Sequence, residues 1–322
     1  MTSMTPTAPT APTAPTAPTT PTAPTTSNAA DAGTWKLGDL EVNRLGFGAM
    51  RLAGNGMDGN SDGAPIDRDR AIAILRRAVE LGVNHIDTAS FYFGPLRSAN
   101  ELINRALGAY PEDLVIVTKV GPGRDPSGEW LPAATPAQLR GQVEENLRQL
   151  GRDHLDVVNL RRMSQDSIAE HFGALAELRD AGLVRHLGLS NIRPEHLAEA
   201  QAIAPVVCVQ NRYGLDHRRA EESGLFDSCA EQGIAFVPFF AISGDRREGA
   251  AAATHDDELL TIARAHDATP AQVLLAWTLH RGPQVLAIPG TGNPGHLLQN
   301  IGAAALRLSA DDLARLDARP QA

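Results

Sequence analysis

The sequence predicts an α/β fold of the (β/α)8 TIM-barrel class, opened by an N-terminal β-hairpin. Eight short apolar runs, each suited to a buried strand, alternate with helical patterns along the chain. Nearly every pair of runs is separated by one helix, the arrangement that closes a parallel barrel through right-handed crossovers. No glycine-rich turn of the dinucleotide-binding kind enters the first long helix. Instead Gly46-Phe47-Gly48 leads through Ala49-Met50 into a loop containing Gly, Asp and Asn, which argues against a doubly wound open sheet.

Residues 1–31 stand apart from this pattern. The first 30 residues hold 11 Thr, 7 Pro and 7 Ala, with no charge before Asp31 and a proline at every third position from Pro6 to Pro24. That period matches one turn of polyproline II and leaves no apolar face, so a disordered tail is expected ahead of a single barrel domain over 32–322. The hairpin is read from Trp35-Lys36-Leu37, a turn at Gly38-Asp39 and the run Leu40 to Val42, and it would plug the bottom of the barrel. Strands are expected at 45–47, 85–86, 114–120, 155–160, 184–189, 206–210, 234–237 and 285–288. Helices are expected near 68–81, 97–108, 136–150, 168–181, 195–203 and 221–232, with two more stretches after 255. Thr135-Pro136 and Thr269-Pro270 supply a cap followed by proline in the first turn, and Asn191-Ile192-Arg193-Pro194 does much the same. Gly82, Gly151, Gly182 and Gly233 mark helix ends that a left-handed residue can close.

Lys and Arg number 29 against 38 Asp and Glu, a formal charge of -9 that argues against a general nucleic-acid binder. No apolar run reaches the length of a membrane span, and the N-terminus lacks a basic region followed by an apolar stretch. Cys208 lies in an apolar run and Cys229 in a helical pattern, as inert buried thiols would. A cytoplasmic protein is expected, with no partner in nucleic acid or membrane and no bound metal.

In a barrel, side chains at the C-terminal ends of the strands converge on one mouth. Four candidates for chemistry fall there: Asp87 and Tyr92 after the second strand, Lys119 ending the third and Arg161 ending the fourth. Each has a plainer reading alone, since Asp-Thr often caps a helix and a lysine often lies on the surface. A lysine that ends the run Leu114-Val115-Ile116-Val117-Thr118 resists that reading, because an unpaired buried ammonium is costly. Taken together, the ammonium favours a tyrosine phenolate and Asp87 keeps the lysine charged and aimed. Tyr92 could then give its proton to a carbonyl oxygen as hydride reaches the carbon.

Six ordered segments resemble the aldo/keto reductase family, through almost all of 34–318. They are Arg44-Leu45-Gly46-Phe47-Gly48-Ala49-Met50, the stretch from His85 to Gly94, Val117-Thr118-Lys119, Gly188-Leu189-Ser190-Asn191, Val209-Gln210-Asn211-Arg212, and Ile288 to Asn293 followed by Asn300. The resemblance implies an oxidoreductase that reduces an aldehyde or ketone to an alcohol, with an extended nicotinamide cofactor, usually NADPH, NADH being possible. It implies catalytic roles for Asp87, Tyr92 and Lys119, with Arg161 in the place of the family's usual histidine. Cofactor contacts are implied for Gly48, Ala49, Met50 and Asp87, and for Ser190, Asn191 and Gln210 at the carboxamide. Phe236 would stack on the nicotinamide, with Val237 and Phe239 nearby. Pro289, Gly290, Thr291, Gly292, Asn293, His296 and Asn300 would surround the adenosine phosphate and adenine.

Two departures from the family pattern matter. Arg161 stays charged through the ordinary pH range and cannot act as a neutral imidazole, although it could polarise a carbonyl or bind a carboxylate, phosphate or phenolate on the substrate. At the adenosine phosphate the family often uses basic side chains, whereas this chain offers Gly290-Thr291 and His296, which weakens the preference for NADPH. The alternative to a reductase is a cofactor-binding regulatory protein with little or no turnover. Loops 50–66, 121–135 and 240–253 are expected to border a small-molecule carbonyl substrate, with Trp130, Phe91 and Phe93 as aromatic walls. Asp245, Arg246 and Arg247 would face cofactor phosphate or solvent.

Overall fold

The computed structural model describes residues 27–53, 67–94, 97–242 and 257–318. The expected hairpin is present: β1 (Thr34–Leu37) pairs antiparallel with β2 (Leu40–Asn43), Trp35 opposite Val42 and Leu37 opposite Leu40. Its corner requires glycine, because Gly38 has a φ of 68° and a Cβ there would run into the His186 ring. The parallel strands begin with β3 (Phe47–Gly48) and β4 (His85–Asp87). A short antiparallel insert follows, β5 (Phe93–Gly94) with β6 (Arg97–Ser98), which the sequence pattern does not signal. Then come β7 (Val115–Val120), β8 (Leu155–Arg161), β9 (Val184–Ser190), β10 (Cys208–Arg212) and β11 (Ala235–Phe239). Their spatial order, β11-β10-β9-β8-β7-β4-β3, follows the chain and lacks the reversal of a doubly wound sheet.

The eighth run closes the ring without a regular ladder. Val285 bridges Phe236 on one side and Ala287 bridges Leu45 on the other. Leu286 N–H donates to the Phe236 carbonyl at 2.9 Å, and Gly46 N–H to the Ala287 carbonyl at 2.8 Å. A side chain reinforces this seam. The Arg44 guanidinium donates to the carbonyls of Ala32 at 3.1 Å, Leu279 at 2.5 Å, Gly282 at 2.6 Å and Val285 at 3.2 Å.

Helices α1 (Arg68–Glu80), α2 (Ala99–Leu107), α3 (Pro136–Leu150), α4 (Ala169–Asp180) and α5 (Pro194–Gln201) lie close to their expected places. The helix expected over 221–232 is two, α6 (Arg219–Glu222) and α7 (Leu225–Glu231), divided at the left-handed Gly224. Among the described residues after 255 there are four helices where two were expected: α8 (Asp257–Ala265), α9 (Pro270–His280), α10 (Pro294–Gly302) and α11 (Ala310–Asp317). The last two start at caps of their own, Asn293 accepting from Gly295 N–H and Ser309 from Asp312 N–H. Pro136 and Pro270 open α3 and α9 behind Thr-to-Gln capping boxes, as the sequence indicates.

Strand alternation separates two cores. Outward-facing residues pack under the helices, while Val115, Val117, Val157, Cys208, Ala235, Val237 and Leu286 meet Leu37 and Val42 of the hairpin inside the barrel. The hairpin thus plugs the floor, and Asp39 in its turn pins it there by accepting from Arg185 at 2.5 Å and facing His186 at 2.5 Å.

The expected boundary of the tail at residue 31 is too late. Asn28 caps a 3-10 turn over Ala29–Ala32, Ala29 is fully buried, and its N–H donates to the Leu81 carbonyl at 2.8 Å. These residues belong to the barrel floor because their backbone groups are bonded into it. The proline repeat, most of loops 50–66 and 240–253, and Asp245, Arg246 and Arg247 lie outside the described residues. Among the described residues no helix is long and apolar enough to cross a membrane, no cluster suits a metal ion, and both cysteines are free and buried.

Candidate active site

Six successive residues of β7 are buried, and alternation turns Val115, Val117 and Lys119 towards the barrel interior. Lys119 is 2% exposed and Asp87, on the neighbouring β4, 4%. The Lys119 ammonium donates to Asp87 Oδ1 at 2.6 Å, to Oδ2 at 2.7 Å and to the Thr88 carbonyl at 3.0 Å, so all its protons are directed. Burial is the largest single influence on this lysine and works against its charge. The attraction of Asp87, then that of Tyr92, outweighs burial, and the pKa is held above the ordinary lysine value.

Tyr92 sits over this pair, with the Lys119 Nζ 4.9 Å from the centre of its ring. Its backbone is fixed on both sides, N–H to the Ala89 carbonyl at 3.0 Å and carbonyl to Ala99 N–H at 2.9 Å. The Phe91 ring meets it edge-on at 5.2 Å. Gln210 completes the group by donating from Nε2 to Asp87 Oδ2 at 2.8 Å. Its buried Oε1 has no hydrogen-bond partner.

A second layer, which no motif signals, ties the same strand ends together from outside. Thr88 and Thr118, each next to a member of the ion pair, are fully buried and point away from the barrel axis. Thr88 donates to Asn100 Oδ1 at 2.7 Å and Thr118 to Asn146 Oδ1 at 2.6 Å. Asn100 Nδ2 joins the two by donating to Asn146 Oδ1 at 2.9 Å and to Gln149 Oε1 at 3.0 Å. Every link is a satisfied buried polar contact, the condition under which such a network rigidifies its surroundings.

Arg161 ends β8 in register with Ser190 of β9. It is half-buried, donates to Ser190 Oγ at 3.3 Å and lies 5.2 Å from the centre of the Phe239 ring. Among the described residues no carboxylate pairs with it. Lys119 pairs with Asn159, two residues before Arg161 on the same face of β8. The guanidinium therefore stands one layer above the lysine, on the adjacent strand.

The expected cofactor residues divide between mouth and core. Phe236 does not face the mouth: it is fully buried on the outer side of β11, 5.0 Å from the Phe226 ring and 5.5 Å from Tyr213. Period-two alternation sends Ala235, Val237 and Phe239 inward instead, Val237 into the lower core and Phe239 to the rim. The ring that alternation brings to the mouth is thus Phe239 and not Phe236. Ser190 is fully buried, and the Asn191 side chain holds the Arg162 carbonyl at 2.9 Å from a left-handed backbone, φ 60°.

Gly48 and Gly290 lie against each other's backbone, where a Cβ on Gly290 would strike the Gly48 carbonyl. Ala49 N–H donates to the Asp87 carbonyl at 2.8 Å, and Met50 starts a 3-10 turn beside it. Pro289 and Thr291 are buried, Gly292 half-buried, and Thr291 Oγ1 accepts from Asn293 N–H at 3.0 Å. The Asn293 side chain is engaged in capping α10, on which His296 is exposed and Asn300 buried.

Of the expected aromatic walls, Phe91 and Phe93 line a cavity of about 530 Å³ together with Arg124, Leu131, Gln142 and Glu145. This cavity runs along α3 outside the strand ring and does not include Tyr92, Lys119 or Arg161. Trp130 is 43% exposed, its ring 5.8 Å from Phe91.

The family model of the aldo/keto reductase family matches residues 44–319. The chain is 47% identical over 291 residues to the pyridoxine 4-dehydrogenase of Escherichia coli (strain K12), covering 88% of this chain and 97% of that protein. It is 32% identical over 301 residues to probable aldo-keto reductase 1 of Glycine max, covering 85% and 84% respectively. A crystal structure of an aldo-keto reductase from Klebsiella pneumoniae in complex with NADPH aligns at a TM-score of 0.71 and 28% identity, over 86% of this chain and 90% of that one. Because the family match runs from the barrel seam at Arg44 to the last helix, and a close relative is matched along nearly its whole length, the chain belongs to the aldo/keto reductase family.

Proposed function

We propose that the protein is an NADPH-dependent reductase that converts a small aldehyde or ketone to an alcohol, reversibly, with Tyr92 as the proton donor. The observation that carries this reading is the buried Lys119 ammonium, fixed by Asp87 and Thr88 beside the Tyr92 ring. Two charges taken out of water are expensive to hold. A protein that only bound a cofactor would have no use for them at this place, which favours turnover over the regulatory alternative.

A nicotinamide held at this mouth would supply the hydride. Tyr92 delivers a proton to the carbonyl oxygen, and Lys119 offsets the negative charge left on the phenol oxygen. Asp87 keeps Lys119 charged and aimed, and Gln210 steadies Asp87 through Nε2. The unpartnered Gln210 Oε1 suits a carboxamide N–H, and Ser190, Asn191 and Phe239 lie along the same strand ends, whereas Val237 is taken up by the lower core. Gly48, Ala49 and Met50 border the middle of the site. The adenosine end falls to Pro289, Gly290, Thr291, Gly292, Asn293, His296 and Asn300, where the start of α10 adds its peptide dipoles. The segment 289–300 contains no Lys or Arg, so NADH remains a competitor to be measured. Two buried free thiols suit a reducing compartment such as the cytoplasm.

Arg161 directs the choice of substrate towards a carbonyl compound with an anionic or phenolic oxygen. Similarity to a pyridoxine 4-dehydrogenase makes pyridoxine and its aldehyde the first pair to assay. The decisive experiment is Tyr92→Phe, which removes one hydroxyl and keeps the ring. NADPH affinity by calorimetry should stay near wild type while the hydride-transfer step slows by roughly 100-fold or more. An unchanged rate would reject Tyr92 as the acid.

A further inference from the structure

We infer that Arg161 selects carbonyl compounds carrying an ionised oxygen on the atom adjacent to the one that bears the carbonyl, the arrangement of a 2-hydroxyaryl aldehyde. This rests on the reductase reading above and narrows it to one substrate class.

The first argument is charge. Lys119 is neutralised at 2.6 Å by Asp87, which leaves the Arg161 guanidinium as the unbalanced cation one layer above it. It has no carboxylate partner among the described residues, and its half-burial limits screening by salt. The second argument is orientation. The Phe239 ring supports the guanidinium at 5.2 Å, and Ser190 Oγ accepts one N–H at 3.3 Å, so the group is held rather than trailing into solvent. A guanidinium has five N–H donors in a planar fork that matches two oxygens side by side, and the single bond to Ser190 leaves a pair available. Two oxygens separated by the short path of a 2-hydroxyaryl aldehyde fit such a fork. A hydroxyl across the ring from the carbonyl does not.

The third argument concerns the reaction. As hydride arrives at the carbonyl carbon, negative charge grows on the carbonyl oxygen until Tyr92 protonates it. A neighbouring oxide repels that charge, and a cation lying against both oxygens removes the penalty where it develops. The carbon gains hydride, the carbonyl oxygen gains the Tyr92 proton, and the oxide leaves unchanged. An imidazole at this position presents one N–H at a time and cannot span the pair.

The test compares 2-hydroxybenzaldehyde, 4-hydroxybenzaldehyde and benzaldehyde with NADPH, using wild type, Arg161→Lys and Arg161→Met, each checked for an intact melting transition. The quantity read is the ratio of kcat/KM for the 2-hydroxy over the 4-hydroxy isomer within each protein, so a general loss of rate cancels. The ratio should be at least 10-fold in wild type, smaller in Arg161→Lys, whose ammonium lacks the fork, and near unity in Arg161→Met. A ratio near unity in wild type, or one that survives Arg161→Met, overturns the inference. A turnover-free arm separates this from the reductase reading. 2-Hydroxybenzamide should bind the wild type with NADP at least 10-fold more tightly than 4-hydroxybenzamide in calorimetry, and Arg161→Met should erase the difference. If no aldehyde is reduced, the reductase reading falls and the binding ratio alone decides the role of Arg161.

Discussion

His85 is sealed inside the barrel, 1% exposed, and neither ring nitrogen makes a full hydrogen bond. Its room exists because Gly46 opposite has no side chain, a Cβ there falling on the imidazole. Burial pushes the His85 pKa down to about 4 from 6.5, offset only in part by the nearby backbone of Asn43. Between those two values the unfolded chain takes up a proton that the folded chain refuses. Stability is therefore complete above about pH 6.5, falls as the pH drops towards 4, and loses at most about 3 kcal/mol to this group. Asp39, held below the ordinary carboxylate range by Arg185 and then His186, acts only at lower pH, as its own carboxyl is forced to protonate. Urea denaturation at pH 7 and pH 5 should show a drop in wild type that is largely absent in His85→Leu. An equal drop in both proteins would place the acid sensitivity elsewhere.

At the scale of strands and helices, the pair of Asp87 and Lys119, proposed above to serve catalysis, is held from two sides, by its own ion pair within the barrel and by Thr88, Asn100, Asn146 and Thr118 outside it. Asn146→Leu leaves the Thr118 hydroxyl and the Asn100 amide short of a partner in a buried site, which should cost about 3 kcal/mol in urea denaturation. Loosened strand ends should also slow hydride transfer about 10-fold in single-turnover measurements, with cofactor affinity little changed. A loss of stability alone would make this network a matter of folding and not of catalysis. Most strands were legible because buried parallel strands read as unbroken apolar runs, and Lys119 stood out by ending one. The outer network was not legible, since asparagines on α2 and α3 look like an ordinary solvent face until the helices are docked. The eighth strand shrank to single bridges because Arg44, a side chain, does work that a hydrogen-bond ladder would otherwise do. Phe236 lies in the outer core and Phe239 alone reaches the mouth because motif likeness tolerates an offset along the strand, whereas alternation of side chains does not.

For the whole molecule, the proline-rich repeat and the barrel meet at Asn28. Removing residues 1–26 should leave the melting temperature and the turnover rate as they are. Removing residues 1–31 takes away the Asn28 cap, the Ala29 bond to Leu81 and the Asp31 carbonyl that accepts from Arg307 at 2.8 Å. The loss should be about 2 kcal/mol, or roughly 5 °C in melting temperature. Equal melting of the two truncated forms would show that the turn is decorative. The position of that junction also sets the polarity of the molecule. Leu81 and Gly82 precede β4, so Asn28 meets the barrel at its floor, beside the hairpin plug, while Tyr92 and Arg161 open at the other pole. A surface, a bead or a second protein joined directly at Ser27 would therefore attach on the side away from Tyr92 and Arg161, leaving the mouth turned outward.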